Sequence, residues 1–324
     1  MAGNFHVGAR EEVPAMTRTK KMENRAASEA LFGSCARGDT DRLSDRDFLI
    51  VDDDVAVLRA RAMSLKAEGV SVASYTFRKL EALAERGALF LQHLRLEASI
   101  VSDRNERLAK LLDGFRPNEC YDREIRDNSN LAALITTIPP GPNAELWAAD
   151  VLYVTVRNFG VLWLASRGRH LFAYDRILEA LQEEGLLHAA GISTLRRLRF
   201  LKSLYRSDDS ATSGTVIRMI REALAGLPEE YFPSAIRTVP AGEVLAGPSP
   251  ADGSPAYLQV RDLEKRIIAA RFLGCNRFAD PALTSLNEWV RNPRAYANLS
   301  ASKAPELRRR LAALGDISQI VRNG

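Results

Sequence analysis

Cysteine is scarce: three residues in 324, Cys35, Cys120 and Cys275, lie far apart and form no CxxC pair. That excludes a disulfide framework and the paired spacings of a structural zinc site. Long apolar runs are also missing. The best stretch, Leu152 to Ala165, is interrupted by Arg157 and Asn158, so no membrane span is expected. The N-terminal residues carry no apolar core of a secretory signal, and with the sparse thiols this reads as a cytoplasmic protein. An excess of one charge is absent too: Lys+Arg is 45 and Asp+Glu is 41, a net of +4. Such a balance does not make a nucleic-acid binder; only local clustering of bases would. No internal repeat is visible. What is present is ordinary globular composition, 46% hydrophobic and 27% charged, which excludes a disordered chain, a collagen and a heptad rod. The length predicts about two domains at roughly 150 residues each.

Residues 1–24 are polar and basic and read as a tail. Residues 25–115 alternate helix and strand signals. Phe48 to Val51 is a short β-type run, and Val55 to Glu68 is helical and stops at Gly69. Val70 to Thr76 (VSVASYT) is β-branched and short, hence a strand; Phe77 to Arg86 is a helix ended by Gly87. Leu89 to Leu96 and Ala98 to Val101 are apolar segments of open type, and Leu108 to Leu112 begins another helix. From 116 to 324 the strand signal fades. Helical periodicity marks Ala144 to Ser166, Tyr174 to Glu184, Ser193 to Arg206, Thr215 to Ala225, Leu258 to Phe272 and Pro305 to Leu314. Ser207 to Gly214 reads as a loop. A Pro/Gly-rich stretch at 239–256 predicts a linker or a long surface crossing.

The informative segment is Phe32 to Asp52, FGSCARGDTDRLSDRDFLIVD. Asp45 and Asp47 are two apart at the start of a strand, so their side chains share a face. Two carboxylates on one face suit Mg²⁺, a hard ion that takes oxygen ligands. Leu49 and Val51 continue that face while Phe48 and Ile50 line the other, as in a strand buried between two layers. Gly33 and Ser34 lie in a turn where glycine lets backbone N–H groups approach a phosphate. Arg37 adds a positive charge, for a phosphate or for an ion pair with Asp39 or Asp41.

This segment resembles the minimal form of the nucleotidyltransferase superfamily with the DNA polymerase β-like fold, whose signature is Gly-Ser, ten residues, then Asp-x-Asp. The matching positions are Gly33, Ser34, Cys35, Ala36, Arg37 and Gly38, then Ser44, Asp45, Arg46 and Asp47. The resemblance covers about residues 25–115. It implies a small mixed sheet with flanking helices at 25–115, which with the helical periodicity of 116–324 makes the expected chain α+β, with a mainly helical second region. It also implies that Asp45 and Asp47 hold Mg²⁺ or Mn²⁺, and that Gly33 and Ser34, with Arg37 and Ser44, hold the phosphates of an NTP, ATP first. A nucleotidyl group then passes to an acceptor hydroxyl, on RNA or protein rather than a small molecule, in a setting such as toxin–antitoxin or defence.

One departure stands out. The family places a third carboxylate on the next strand, where this chain has VSVASYT; Ser71, Ala73 or Tyr75 occupies the place. Glu97 and Asp103 are the candidate replacements. The alternative reading is a nucleotide-binding or nucleic-acid-binding protein that keeps the fold without turnover. His93, in LFLQHLRLE, reads as a core histidine, and Arg157 as a structural pair rather than a ligand of the triphosphate. Arg196, Arg199, Lys202 and Arg206 fall on one helical stripe with no acid from Gly185 to Ser207. They read either as an anion-facing surface for RNA or as a face neutralised from elsewhere.

Overall fold

A computed structural model describes residues 26–40, 46–207, 214–251 and 253–273. The tail, Ser44 and Asp45, the loop at 208–213, Cys275 and the helix expected over Pro305 to Leu314 lie outside the described residues. The chain divides into two compact units after Pro117.

The first unit is a four-stranded mixed sheet clad by helices. Its strands are β1 (Ser28–Phe32), β2 (Asp47–Val51), β3 (Ser71–Tyr75) and β4 (Ser99–Asp103), in the spatial order β3-β2-β1-β4. β1 runs antiparallel to β2 and β4, and β2 runs parallel to β3. Its helices are α1 (Ser34–Arg37), α2 (Val55–Ala67), α3 (Phe77–Glu85), α4 (Leu89–Glu97) and α5 (Arg107–Gly114). β2 is apolar on both sides because both sides are covered. Leu49 and Val51 join Ala30, Phe32, Leu91, Leu94 and Leu108 in one core. Phe48 and Ile50 join Leu58, Leu65 and Val72 in the other.

Local chemistry sets the boundaries. Asp54 caps α2 by accepting from the Ala56 amide at 2.7 Å, and Thr76 caps α3 through Lys79. Gly69 ends α2 at φ 74°, a left-handed turn that a side chain would strain. The two segments of open type resolve as a helix, α4, and a strand, β4. In α4, Leu91 and Leu94 turn inward at helical spacing, whereas β4 is the sheet edge and leaves Ile100 and Val101 exposed. That edge exposure removes the alternation that would have marked a strand.

The second unit is mainly helical: α6 (Asp122–Ala132), α7 (Pro142–Ala165), α8 (Tyr174–Glu183), α9 (Ala189–Ser207), α10 (Thr215–Ala225), α11 (Ala241–Ala246) and α12 (Ala256–Phe272). A two-residue parallel ribbon pairs β5 (Thr137–Ile138) with β6 (Arg237–Thr238). α7 is the central helix, packed by α6, α8, α9, α10 and α12. It is long and apolar enough to cross a membrane, but 78% of its apolar window is buried inside the unit, which accounts for its composition. Gly160 permits the close approach of α8, since a Cβ there would stand 2.1 Å from Ile177 Cγ2. Arg157, which breaks the apolar run, donates to the Phe172 carbonyl at 3.3 Å.

The Pro/Gly-rich stretch contains α11 and is pinned to α12. The Arg266 guanidinium donates to the carbonyls of Leu245, Gly247 and Pro248. A cavity of about 610 Å³ opens beside it, lined by Lys265, Arg266 and Asp262 among others.

Candidate functional site

The turn after β1 carries the Gly-Ser pair, and the start of β2 carries Asp47. Phe32 and Asp47 are register partners, so the glycine that follows Phe32 lies against the aspartate. A Cβ on Gly33 would come within 3.2 Å of Asp47 Oδ2. Gly33 holds φ 72° and ψ −150°, a region that only glycine adopts without strain. Its carbonyl accepts from the amides of Ala36 and Arg37 at 3.1 Å each, closing the turn that opens α1 with Ser34. Glycine is therefore favoured here by its backbone conformation, and a side chain would also crowd the Asp47 carboxylate.

Arg37, at the end of α1, donates to Asp39 at 2.9 Å and to Glu97 of α4. Of the two readings of Arg37, the ion pair is what is formed, with Glu97 added to Asp39. Glu97 also pairs with His93 Nε2 at 2.9 Å, one helical turn back. The His93 ring meets the Phe32 ring edge-on at 5.6 Å. His93 and Glu97 keep only 12% and 14% of their side chains exposed. Burial pushes the Glu97 carboxyl up, but the hydrogen bonds and charges of His93 and Arg37 outweigh it and hold Glu97 below the usual glutamate range. His93 is thus more than a core histidine: it belongs to a polar chain, Arg37–Glu97–His93, beside the Gly-Ser turn. Its i,i+4 spacing to Glu97 was the legible signal.

β3 brings no acid to Asp47. Its register partner there is Ser71, followed on the same face by Ala73 and Tyr75. Of the candidate replacements, Asp103 is displaced. It pairs with Ser28, four positions along β1 from Phe32 and so about 13 Å away. There its carboxylate accepts from Ser28 Oγ at 2.6 Å and from the amides of Leu108 and Ala109 at 3.1 and 2.9 Å, as the cap of α5. Glu97 lies near the turn but is committed to Arg37 and His93. Among the described residues, no group of three His, Cys, Asp or Glu side chains comes together as a metal site.

Of the two carboxylates that the resemblance assigns to a divalent ion, Asp47 is the one among the described residues. Asp47 has carboxylate oxygens, the ligand type that hard cations prefer, and Oδ2 lies close to the Gly33 backbone.

The basic stripe of α9 is neutralised, not offered to an anion, at its two ends. Arg196 pairs with Asp175 and Glu179 of α8 at 3.0 and 3.2 Å. Arg206 pairs with the fully buried Asp150 of α7 at 3.0 Å. Lys202 lies 5.0 Å from the Tyr153 ring centre, and Arg199 also has partners. The helix lacks local acids because its neighbours supply them.

A buried ionic cluster, which the sequence reading did not isolate, organises the second unit. Arg261 of α12, with no exposed surface, reaches Asp150 at 2.8 Å and Glu264 at 3.2 Å. Glu264 accepts from Trp147 Nε1 at 2.9 Å and from the Tyr205 hydroxyl. Burial pushes the Glu264 carboxyl above its ordinary value, despite Arg261 and Tyr205. Asp150 is held below its ordinary value, because Arg261 and Arg206 overcome its burial. The run Arg261–Asp262–Leu263–Glu264–Lys265–Arg266 looks like a solvated helix face, yet all six residues are buried. No protein-family model, curated protein or solved structure matches this chain.

Proposed function

We propose that the first unit binds an NTP with Mg²⁺ or Mn²⁺ and transfers its nucleotidyl group to an acceptor hydroxyl on RNA or protein. The observation that carries this reading is the approach of Gly33 to Asp47, which joins the two halves of the Gly-Ser…Asp-x-Asp signature in space. Asp45 and Asp47 are the metal ligands in this reading. Gly33, Ser34, Arg37 and Ser44 take the triphosphate. Asp45 and Asp47 would hold the ion, whose charge would offset that on the attacking and leaving groups. The Gly33–Ser34 turn orients the phosphates, and Arg37 moves from carboxylate to phosphate, both bidentate partners for a guanidinium. A cytoplasmic setting, where NTP and Mg²⁺ are plentiful, belongs to the same proposal, as does a toxin–antitoxin or defence role.

A second reading has an observation of its own: with Ser71 beside Asp47, β3 lacks the acid that would help deprotonate the acceptor. That favours nucleotide binding without turnover. Labelled NTPs with Mg²⁺ or Mn²⁺, offered with RNA and protein acceptors, separate the two. The first reading expects pyrophosphate release that is lost in Asp45→Ala/Asp47→Ala. Tight metal-dependent binding with no release on any acceptor supports the second. No metal-dependent NTP binding at all rejects both.

A further inference from the structure

We propose that the cavity beside α12 is a binding site for a small monocarboxylic acid with an apolar body, its carboxylate held by Lys265. The site lies wholly in the second unit and is independent of the nucleotidyl-transfer reading. At about 610 Å³ the cavity has the size of a small-molecule site.

The charge of Lys265 points to the headgroup. Only 9% of this residue is exposed. Its ammonium donates to the Leu134 and Thr137 carbonyls at 3.0 and 3.4 Å, and those two residues line the cavity as Lys265 does. An ammonium carries three hydrogens. Among the described residues this one has no third acceptor and no ion-pair partner. Asp262, an acid of the cavity wall, is paired with Arg266 at 2.8 Å instead. Burial pushes Lys265 below the ordinary lysine value; Asp262 opposes that and Arg266 adds to it. A buried cation without an anion is costly. A carboxylate entering the cavity would supply the missing charge through a charge-assisted hydrogen bond.

The wall of the site is built in advance. Arg266 donates to the carbonyls of Leu245, Gly247 and Pro248 at 2.9, 3.1 and 2.8 Å, which fixes the Pro/Gly-rich crossing against α12. Gly247, Pro248 and Pro250 of that crossing line the cavity. A wall that is already ordered loses little affinity to ordering when a ligand binds. The donors of Arg266 go to this wall and to Asp262, so Lys265 is left to meet the ligand.

The lining also sets the body and the charge of the ligand. Leu134, Val239, Val244 and Leu258 give it apolar surface. The Arg266–Asp262 pair is neutral, which leaves one charge, that of Lys265, to offset. Glu243 also lines the cavity, from an exposed position where water screens its charge. A doubly charged phosphate would meet both Asp262 and Glu243 against the one cation, whereas a monocarboxylate balances Lys265.

Calorimetry on the full chain with octanoate, 1-octanol and octyl phosphate tests the assignment. Octanoate should bind the wild type at least about tenfold tighter than either of the others, the worth of one charge-assisted hydrogen bond. Lys265→Met keeps an apolar stem and should erase the preference for octanoate over 1-octanol, a change that a purely structural lysine would not produce. Wild-type binding that does not distinguish octanoate from 1-octanol overturns the proposal, as does a preference that Lys265→Met retains. Octyl phosphate binding more tightly than octanoate overturns the monocarboxylate assignment. If Lys265→Met does not fold, reductive methylation of the wild-type chain, read by mass spectrometry, decides. Octanoate should slow methylation of Lys265 and leave the exposed Lys66 and Lys110 unchanged. Equal rates at Lys265 with and without octanoate overturn the proposal.

Discussion

Gly33 and Asp47 are separated by fourteen positions, yet a single methyl group on Gly33 would stand 3.2 Å from the Asp47 carboxylate oxygen. Gly33→Ala therefore brings two penalties. The backbone at φ 72° and ψ −150° becomes strained by about 1–3 kcal/mol, and the methyl crowds the oxygen offered to a cation. The expected result is a lower urea midpoint and a MgATP affinity weakened at least about tenfold, read by calorimetry. A substitution that loses stability but keeps full affinity would detach Gly33 from the nucleotide.

Asp47 and Asp103 end different strands of the same sheet and should respond in opposite ways. Asp103→Ala removes the cap of α5 and the partner of Ser28, a loss of about 0.5–2 kcal/mol for a cap. It should leave MgATP binding unchanged. Asp47→Asn should abolish metal-dependent binding with little effect on the melting temperature, because its site lies at the partly exposed start of β2. Thermal melts paired with binding isotherms check both, and an Asp103 variant that loses nucleotide would restore that residue to the site.

The two units differed in how much could be read beforehand. The short apolar run of Phe48 to Val51 and the glycine stop at Gly69 are local signals, and both appear where expected, in β2 and at the end of α2. The Gly-Ser…Asp-x-Asp spacing is legible for the same reason: a hairpin keeps its two halves close. Partnership at a distance is not legible. Arg206 looks unneutralised because Asp150 is 56 residues away, and Arg261 looks solvated although Asp150 lies against it, 111 positions earlier. α6 carries little sequence signal because only a narrow stripe, including Ile125 and Leu131, is buried on an otherwise polar helix. Side-chain pairing across helices leaves no periodic trace in either partner.

The two ends of the α9 stripe test that contrast directly. Arg196 and its partners Asp175 and Glu179 are about half exposed, so Arg196→Ala should cost less than about 1 kcal/mol. Arg206 faces an Asp150 with no exposed surface, and its removal leaves that carboxylate partly unpaired. Arg206→Ala should cost several-fold more, toward the 3–5 kcal/mol typical of a broken buried pair. Denaturant titration reads both. Neither variant should change retention on immobilised RNA, and a salt-sensitive loss of RNA binding in Arg196→Ala would revive the anion-facing surface.

Asp150 and Glu264 share Arg261 but should carry opposite pH dependences. The Asp150 carboxyl is held down in the fold by Arg261 and Arg206 in spite of burial. Its stabilisation is present above the ordinary aspartate value near about 4 and is lost as pH falls through the folded value. Glu264 is pushed up, first by burial. The stability linked to its proton is present below the ordinary glutamate value of about 4.3 and is lost as pH rises through the folded value. Relative to wild type, Asp150→Asn should therefore become steadily worse as pH rises across the acid range, reaching a loss of about 3–5 kcal/mol at neutrality. Glu264→Gln keeps an acceptor for Trp147 and Tyr205 and should improve relative to wild type over its own range. Urea unfolding at a series of pH values measures both differences. Slopes of the same sign would show that the two carboxylates titrate together and that Arg261 does not divide them.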